Sequence, residues 1–148
     1  DILSWSTHEH VKPECGKKIY DYLYTPGLFL NLSPKPYTQE VTEWLSTYAD
    51  LYIVTAYIPA TCVDKAKWLA IHFPWIPQRN IMFVNDKGKV LLDYLVDDGP
   101  HNIEAFKGKG IVVDMPYNRY LGDKYPRVKD YSELRDYFFL EFKKLNIL

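Results

Sequence analysis

Residues 85–98 read NDKGKVLLDYLVDD: a polar turn holding a lysine and a glycine, an apolar run, and a doubled aspartate that closes it. A run this short, bounded by turn residues, is the pattern of a buried strand, here 90–96, and not of a helix. Three runs of the same kind lie elsewhere: 51–55 (LYIVT), 80–84 (NIMFV) and 110–113 (GIVV, ending at Asp114).

Between the strands the apolar spacing turns helical. Residues 13–24 carry Pro13 near their start and Ile19 and Leu23 on one side, before Thr25-Pro26-Gly27 breaks the pattern. Thr38 is placed to cap a helix with Val41, Trp44, Leu45 and Tyr48 on one face. Thr61 is placed to cap another, with Val63, Ala66, Ala70 and Phe73 along its face and Pro74 ending it. Ser132 does the same for a last helix carrying Leu134, Phe138, Phe142 and Leu145. Strands alternating with helices predict an α/β fold with a largely parallel sheet.

The bulk composition narrows the function classes. At 148 residues the chain suits one domain, rich in aromatics with 13 Tyr and 4 Trp. Lysine and arginine are scattered among acids at a formal net charge of −1, which gives no basis for nucleic-acid binding. No apolar run reaches bilayer length and no leader pattern appears, so no membrane partner is expected. Cys15 and Cys62 lie far apart without CxxC spacing, which suits a reducing cytoplasm. The chain opens on Asp1 without an initiator methionine, so a longer gene product is expected.

Each residue that could carry chemistry admits two readings. Asp97 and Asp98 end a sheet strand, where open α/β sheets bind ligands, and adjacent carboxylates there can hold Mg²⁺. Asp98 alternatively suits capping of the helix that Pro100 begins. Lys87 occupies what looks like a β-hairpin turn, as a solvated charge, or else reaches over the strand ends to neutralise a phosphate. Thr55 ends its strand before a helix whose N-terminus favours anions, or is an ordinary strand-end threonine. His101 reads as a surface residue beside the aspartates, and His8, His10 and His72 lack metal-ligand spacing.

Taken together, LYIVTA, NDK and LVDD, with Lys87 ten residues ahead of Asp97, resemble the 5′(3′)-deoxyribonucleotidase branch of the haloacid-dehalogenase superfamily. TPGLFLNLSPKP, KWLAIHFP and DMPYNR extend the resemblance over roughly residues 5–121. It implies a Rossmannoid three-layer α/β sandwich with a mostly parallel sheet and a small helical cap, partly present. Residues 1–37 would be the remainder of that cap and 38–148 the core, lacking its first strand.

The resemblance also implies roles. Thr55 hydrogen-bonds the transferring phosphoryl group and Lys87 pairs with it and with the nucleophile; Asp97 is a Mg²⁺ ligand and Asp98 its supporting partner. Ala56 stands where relatives place a serine that contacts substrate, and Phe29 falls in the cap segment that shapes the nucleoside pocket. The implied reaction is Mg²⁺-dependent hydrolysis of (deoxy)nucleoside monophosphates through an aspartyl-phosphate.

The nucleophile motif, Asp-x-Asp at the end of an apolar strand, does not occur in the sequence and is expected upstream of Asp1. Its strand would lie between those ending at Thr55 and Asp97, so its loss would leave two unpaired edges and favour a homodimer or a partner chain. No catalysis is expected from these residues alone. Two other readings remain: a non-catalytic binding or regulatory relative that lost the nucleophile, and a thioredoxin-like thiol protein using Cys62 at a helix start.

Overall fold

A computed structural model describes residues 2–148. Five short strands form: β1 (Ile53–Ala56), β2 (Ile81–Val84), β3 (Tyr94–Asp97), β4 (Lys109–Val113) and β5 (Arg127–Val128). Four α-helices accompany them: α1 (Thr38–Ser46), α2 (Cys62–His72), α3 (Pro100–Ala105) and α4 (Tyr131–Lys144). Residues 2–37 hold only 3-10 segments, at Thr7–Glu9, Gly16–Tyr24 and Phe29–Asn31, none with a buried residue.

All strand pairs are parallel, as the alternation predicts, but the sheet is in two pieces. One is β2-β1 and the other β3-β4-β5. Among the described residues, β1 and β3 each pair on one side only. Two cavities lie along the open edge of β1. The larger, about 280 Å³, runs from Ile53 and Leu69 across Thr38 and Thr42 of α1 to Tyr131 of α4. The smaller, about 180 Å³, shares Ile53 and Leu69 and reaches Thr55 at the strand's carboxyl end.

The larger piece is sandwiched. Ile111 of β4 faces Val41 and Leu45 of α1 and Leu134, Phe138 and Phe142 of α4. Val112, its neighbour on the other face, joins Leu95, Ile103, Phe106 and Leu121 on the α3 side. The period-two alternation of side chains along a strand serves two cores at once. The β2-β1 piece is covered by α2 through Leu69, with Phe73 and Ile76 beyond it.

Several local expectations are corrected. The helix expected over 13–24 is a 3-10 segment from Gly16, whose φ of +46° sets it apart from residues 13–15. α1 is capped at Tyr37 in the left-handed region, while the Thr38 hydroxyl donates back to the Lys35 carbonyl. α4 is capped by Asp130, whose carboxylate accepts from the Ser132 and Glu133 amides. β3 begins at Tyr94 and not at residue 90, because Lys87–Lys89 forms a 3-10 turn and the chain crosses between sheet pieces.

The face of α2 is also different. Val63 and Ala70 are exposed, and the buried stripe runs Thr61, Lys65, Leu69. Those positions are spaced by four, but a lysine among them hides the stripe from a hydropathy reading.

At the amino ends of β3 and β4, Glu141 of α4 accepts from Lys109 at 2.5 Å, Lys144 at 3.0 Å and the Tyr94 hydroxyl at 3.3 Å. The Lys109 hydrogen bond, then that of Lys144, lowers the Glu141 carboxyl from 4.5 to about 2. A depressed carboxyl stabilises the fold above its unfolded pKa and loses that contribution as pH falls toward the folded one. Glu141→Gln should therefore flatten the acid limb between about pH 5 and pH 2, measured by urea midpoints across that range.

Candidate active site

The site lies at the carboxyl ends of β1 and β3. Asp97, the last residue of β3, is buried at 7% exposure. Its Oδ1 accepts from the Gly99 amide at 2.7 Å and from Asn102 Nδ2 at 3.0 Å, while Oδ2 accepts from Lys87 Nζ at 2.7 Å. Both oxygens are thus engaged by the protein. Gly99 is required by this closeness, since a Cβ there would sit 2.8 Å from Asp97 Oδ1.

Lys87 reaches Asp97 because the turn that carries it lies tight against α3. A Cβ on Gly88 would come within 2.6 Å of the Ala105 side chain. β2 and β3 belong to different sheet pieces, so this turn is no β-hairpin, and Lys87 is not a free solvated charge. Asp98 does not cap α3: the N-cap is Gly99, without a side-chain capping bond, and it is Asp97 that accepts from the Gly99 amide.

Asp98 is half-buried, and its Oδ2 accepts from the Tyr117 hydroxyl at 2.5 Å. Its Oδ1 accepts no hydrogen bond from the described residues. Burial, together with the carboxylate it donates to, pushes the Tyr117 phenol well above its ordinary range. Trp5 packs its ring at 4.9 Å from His101 and 5.4 Å from Tyr117, covering this corner with the N-terminal segment.

Asn118 was not singled out in the sequence, although it lies within DMPYNR. It is fully buried. Its Nδ2 donates to the Asp98 carbonyl at 2.9 Å and the Val113 carbonyl at 2.8 Å; its Oδ1 accepts from the Met115 amide at 3.1 Å and Arg127 at 2.7 Å. One side chain therefore ties the ends of β3, β4 and β5. Asp114 completes the knot, its carboxyl held below the usual range by the Arg119 hydrogen bond and then by Arg127. Asn118→Ala should cost about 3 kcal/mol in denaturant unfolding, because several buried backbone groups lose their partners at once.

Across the gap stand Thr55, Phe29 and Lys65, which line the 180 Å³ cavity together. Lys65 donates to the Ala56 carbonyl at 2.9 Å and lies 4.5 Å from the Phe29 ring centre. Ala56 itself is exposed. The segment from Gly27 to Leu32 is tied down by α2: Gly27 donates its amide to Asp64 at 2.8 Å and Trp68 donates to the Leu32 carbonyl at 2.7 Å. The structure thus groups Lys87, Asp97 and Asp98 on one side and Thr55 and Phe29 on the other.

The comparisons decide the lineage. The family model described as 5′ nucleotidase, deoxy (Pyrimidine), cytosolic type C protein matches residues 1–145. The chain belongs to this haloacid-dehalogenase-like nucleotidase family. It is 42% identical over 135 residues to a 5′(3′)-deoxyribonucleotidase of Clostridium acetobutylicum, covering 91% of this chain and 74% of that protein. It is 32% identical over 136 residues to a 5′(3′)-deoxyribonucleotidase of Bacillus subtilis, covering 90% and 77%.

A family of nucleotide phosphatases with a parallel α/β core displaces the thioredoxin-like reading. Cys62 does open α2, but β2 and β3 form no hairpin, and Cys15 and Cys62 are both unpaired thiols. Among the described residues, no helix is long and apolar enough to cross a membrane.

As a donor set for a divalent metal, the site offers little by itself. Among the described residues no group of three histidine, cysteine or acidic side chains converges. Asp98 Oδ1 is the carboxylate oxygen left over. That suits Mg²⁺, which keeps several waters and is commonly held by one or two carboxylates plus substrate phosphate.

Proposed function

We propose that these residues form the phosphate- and metal-binding part of a Mg²⁺-dependent phosphomonoesterase for (deoxy)nucleoside monophosphates. The carrying observation is the split sheet: among the described residues β1 and β3 each keep an open edge, with Thr55 near the carboxyl end of the first and Asp98, beside the Lys87–Asp97 pair, at that of the second. A parallel apolar strand ending in Asp-x-Asp fills this slot, from a segment outside residues 1–148. We take 1–37 as the remainder of a cap and 38–148 as the core.

The roles are those that the family resemblance implies, adjusted to the contacts seen. Thr55 hydrogen-bonds the phosphoryl group, and Lys87, held by Asp97 at 2.7 Å, presents its charge to that group and to the incoming nucleophile. The first aspartate of the added strand attacks phosphorus and forms an aspartyl-phosphate; the second protonates the leaving alcohol and then activates water. We place Asp98, not Asp97, on the metal, because Asp97 has both oxygens occupied by protein donors. Bound Mg²⁺ supplies charge neutralisation at the phosphate oxygens. Phe29 and the Ala56 segment shape the nucleoside side of the pocket, and the free thiols accord with a cytoplasmic setting.

The test is reconstitution. Fusing an apolar strand with Asp-x-Asp ahead of residue 1 should yield phosphate release from deoxynucleoside monophosphates that stops on chelating Mg²⁺. The 148-residue chain alone should release none. A fusion that folds, binds Mg²⁺ and stays inert favours the non-catalytic reading.

A further inference from the structure

Two consecutive residues of one segment grip Asp98 from opposite ends. Asn118 donates to its backbone carbonyl at 2.9 Å, and Tyr117 donates its hydroxyl to Oδ2 at 2.5 Å. The segment is firmly seated, since Asn118 has no exposed surface and also bonds the Val113 carbonyl and Arg127. The Tyr117 ring has a restraint of its own. Trp5 meets it edge to face, with ring centres 5.4 Å apart and planes at 80°, and the same Trp5 meets His101 at 4.9 Å. A phenylalanine would pack against Trp5 equally well. Among the described residues, the hydroxyl has one partner, the Asp98 carboxylate.

What that hydroxyl changes is the number of oxygens that the end of β3 can offer. Asp97 offers none, because Lys87 takes Oδ2 while the Gly99 amide and Asn102 take Oδ1. Asp98 could offer two if Oδ2 were free. Chelation through both would have to break or distort the Tyr117 bond, so Oδ1 alone is left to meet a cation. The bond also fixes the plane of the carboxylate, as hydrogen bonds behind a metal ligand do.

A single fixed oxygen discriminates between cations. Mg²⁺ demands near-octahedral geometry and fills most of its shell with water. Ca²⁺ takes about six to eight oxygens at longer range and readily draws two from one carboxylate. We propose that Tyr117 is a specificity-determining residue of the metal site: by holding Asp98 Oδ2 it limits that carboxylate to one oxygen and favours a small octahedral cation over Ca²⁺. Trp5 is the positioning residue behind it, so the N-terminal segment and the choice of cation are linked through one ring. The role goes beyond naming Asp98 as a ligand but rests on the metal-binding reading above.

Calorimetric titration of the reconstituted protein with Mg²⁺ and, separately, with Ca²⁺ tests this without any turnover. The unsubstituted protein should prefer Mg²⁺. Tyr117→Phe keeps the ring and its packing; it should weaken Mg²⁺ binding about tenfold and leave Ca²⁺ binding unchanged or tighter. Trp5→Leu, at a residue 49% exposed, should move the ratio of the two affinities the same way by a smaller factor. Thermal unfolding in chelator reports the fold separately. A purely structural Tyr117 would give a lower metal-free melting point, with the two affinities falling in step or not at all. That result, or an unsubstituted protein that prefers Ca²⁺, overturns the role of Tyr117 alone. A reconstituted protein that melts cooperatively yet takes up neither cation overturns the metal-binding reading, and this role with it.

Discussion

Lys87→Met is expected to lower turnover of the reconstituted enzyme by about 10²–10³-fold, the size of losing one preorganised donor to the transition state. The same substitution should destabilise the fold. Asp97 is 6% exposed at its side chain and Lys87 25%, so removing the lysine strands a carboxylate in a nearly dry place. Breaking a fully buried pair costs about 3–5 kcal/mol, and the partial exposure of Lys87 brings the expected loss to about 2–3 kcal/mol.

A second substitution separates the two effects. Asp97→Asn in the Lys87→Met background removes the unpaired charge while leaving an oxygen for the Gly99 amide and Asn102. Denaturant stability should then recover, by a kcal/mol or more, and turnover should not. If the single variant unfolds at the wild-type midpoint, the pair is not structural. If it keeps its phosphate release, Lys87 does not serve the chemistry.

The contrast between Lys87 and Lys65 shows what a sequence can disclose. Lys87 was legible because it stands ten residues ahead of Asp97 in a stretch that resembles the family motif, and the structure closes that interval into one ion pair. The parallel α/β class was legible from alternating strands and helices. Lys65 was not, because hydropathy assigns a lysine to solvent, and so the face of α2 was read one stripe away from its buried position. Asn118 and Tyr117 were hidden for another reason. Their work is done on Asp98, 20 and 19 residues distant respectively, and no local pattern records a contact made across strand ends. The caps at Tyr37 and Asp130 lie one and two residues before the threonine and serine that local preference nominated. Short-range propensity is outvoted there by where the chain must enter the helix.

The split sheet itself sets the second large effect. Ile111 has no exposed surface and sits where β4 meets both α1 and α4. Ile111→Ala removes that contact and leaves a void, at about 3–4 kcal/mol for a site with little room to collapse. Domains of ordinary stability hold only about 5–15 kcal/mol, and a core divided between two sheet pieces stands at the low end of that range. The variant should therefore lose its cooperative urea transition in the 148-residue chain. The same substitution in the reconstituted protein should keep a transition, shifted to lower urea, because a strand joining β1 to β3 merges the pieces. Leu91→Ala, at 93% exposure, should shift neither. Equal losses from Ile111→Ala in both backgrounds, each with its transition retained, would mean that the two pieces are already one cooperative unit without the added strand.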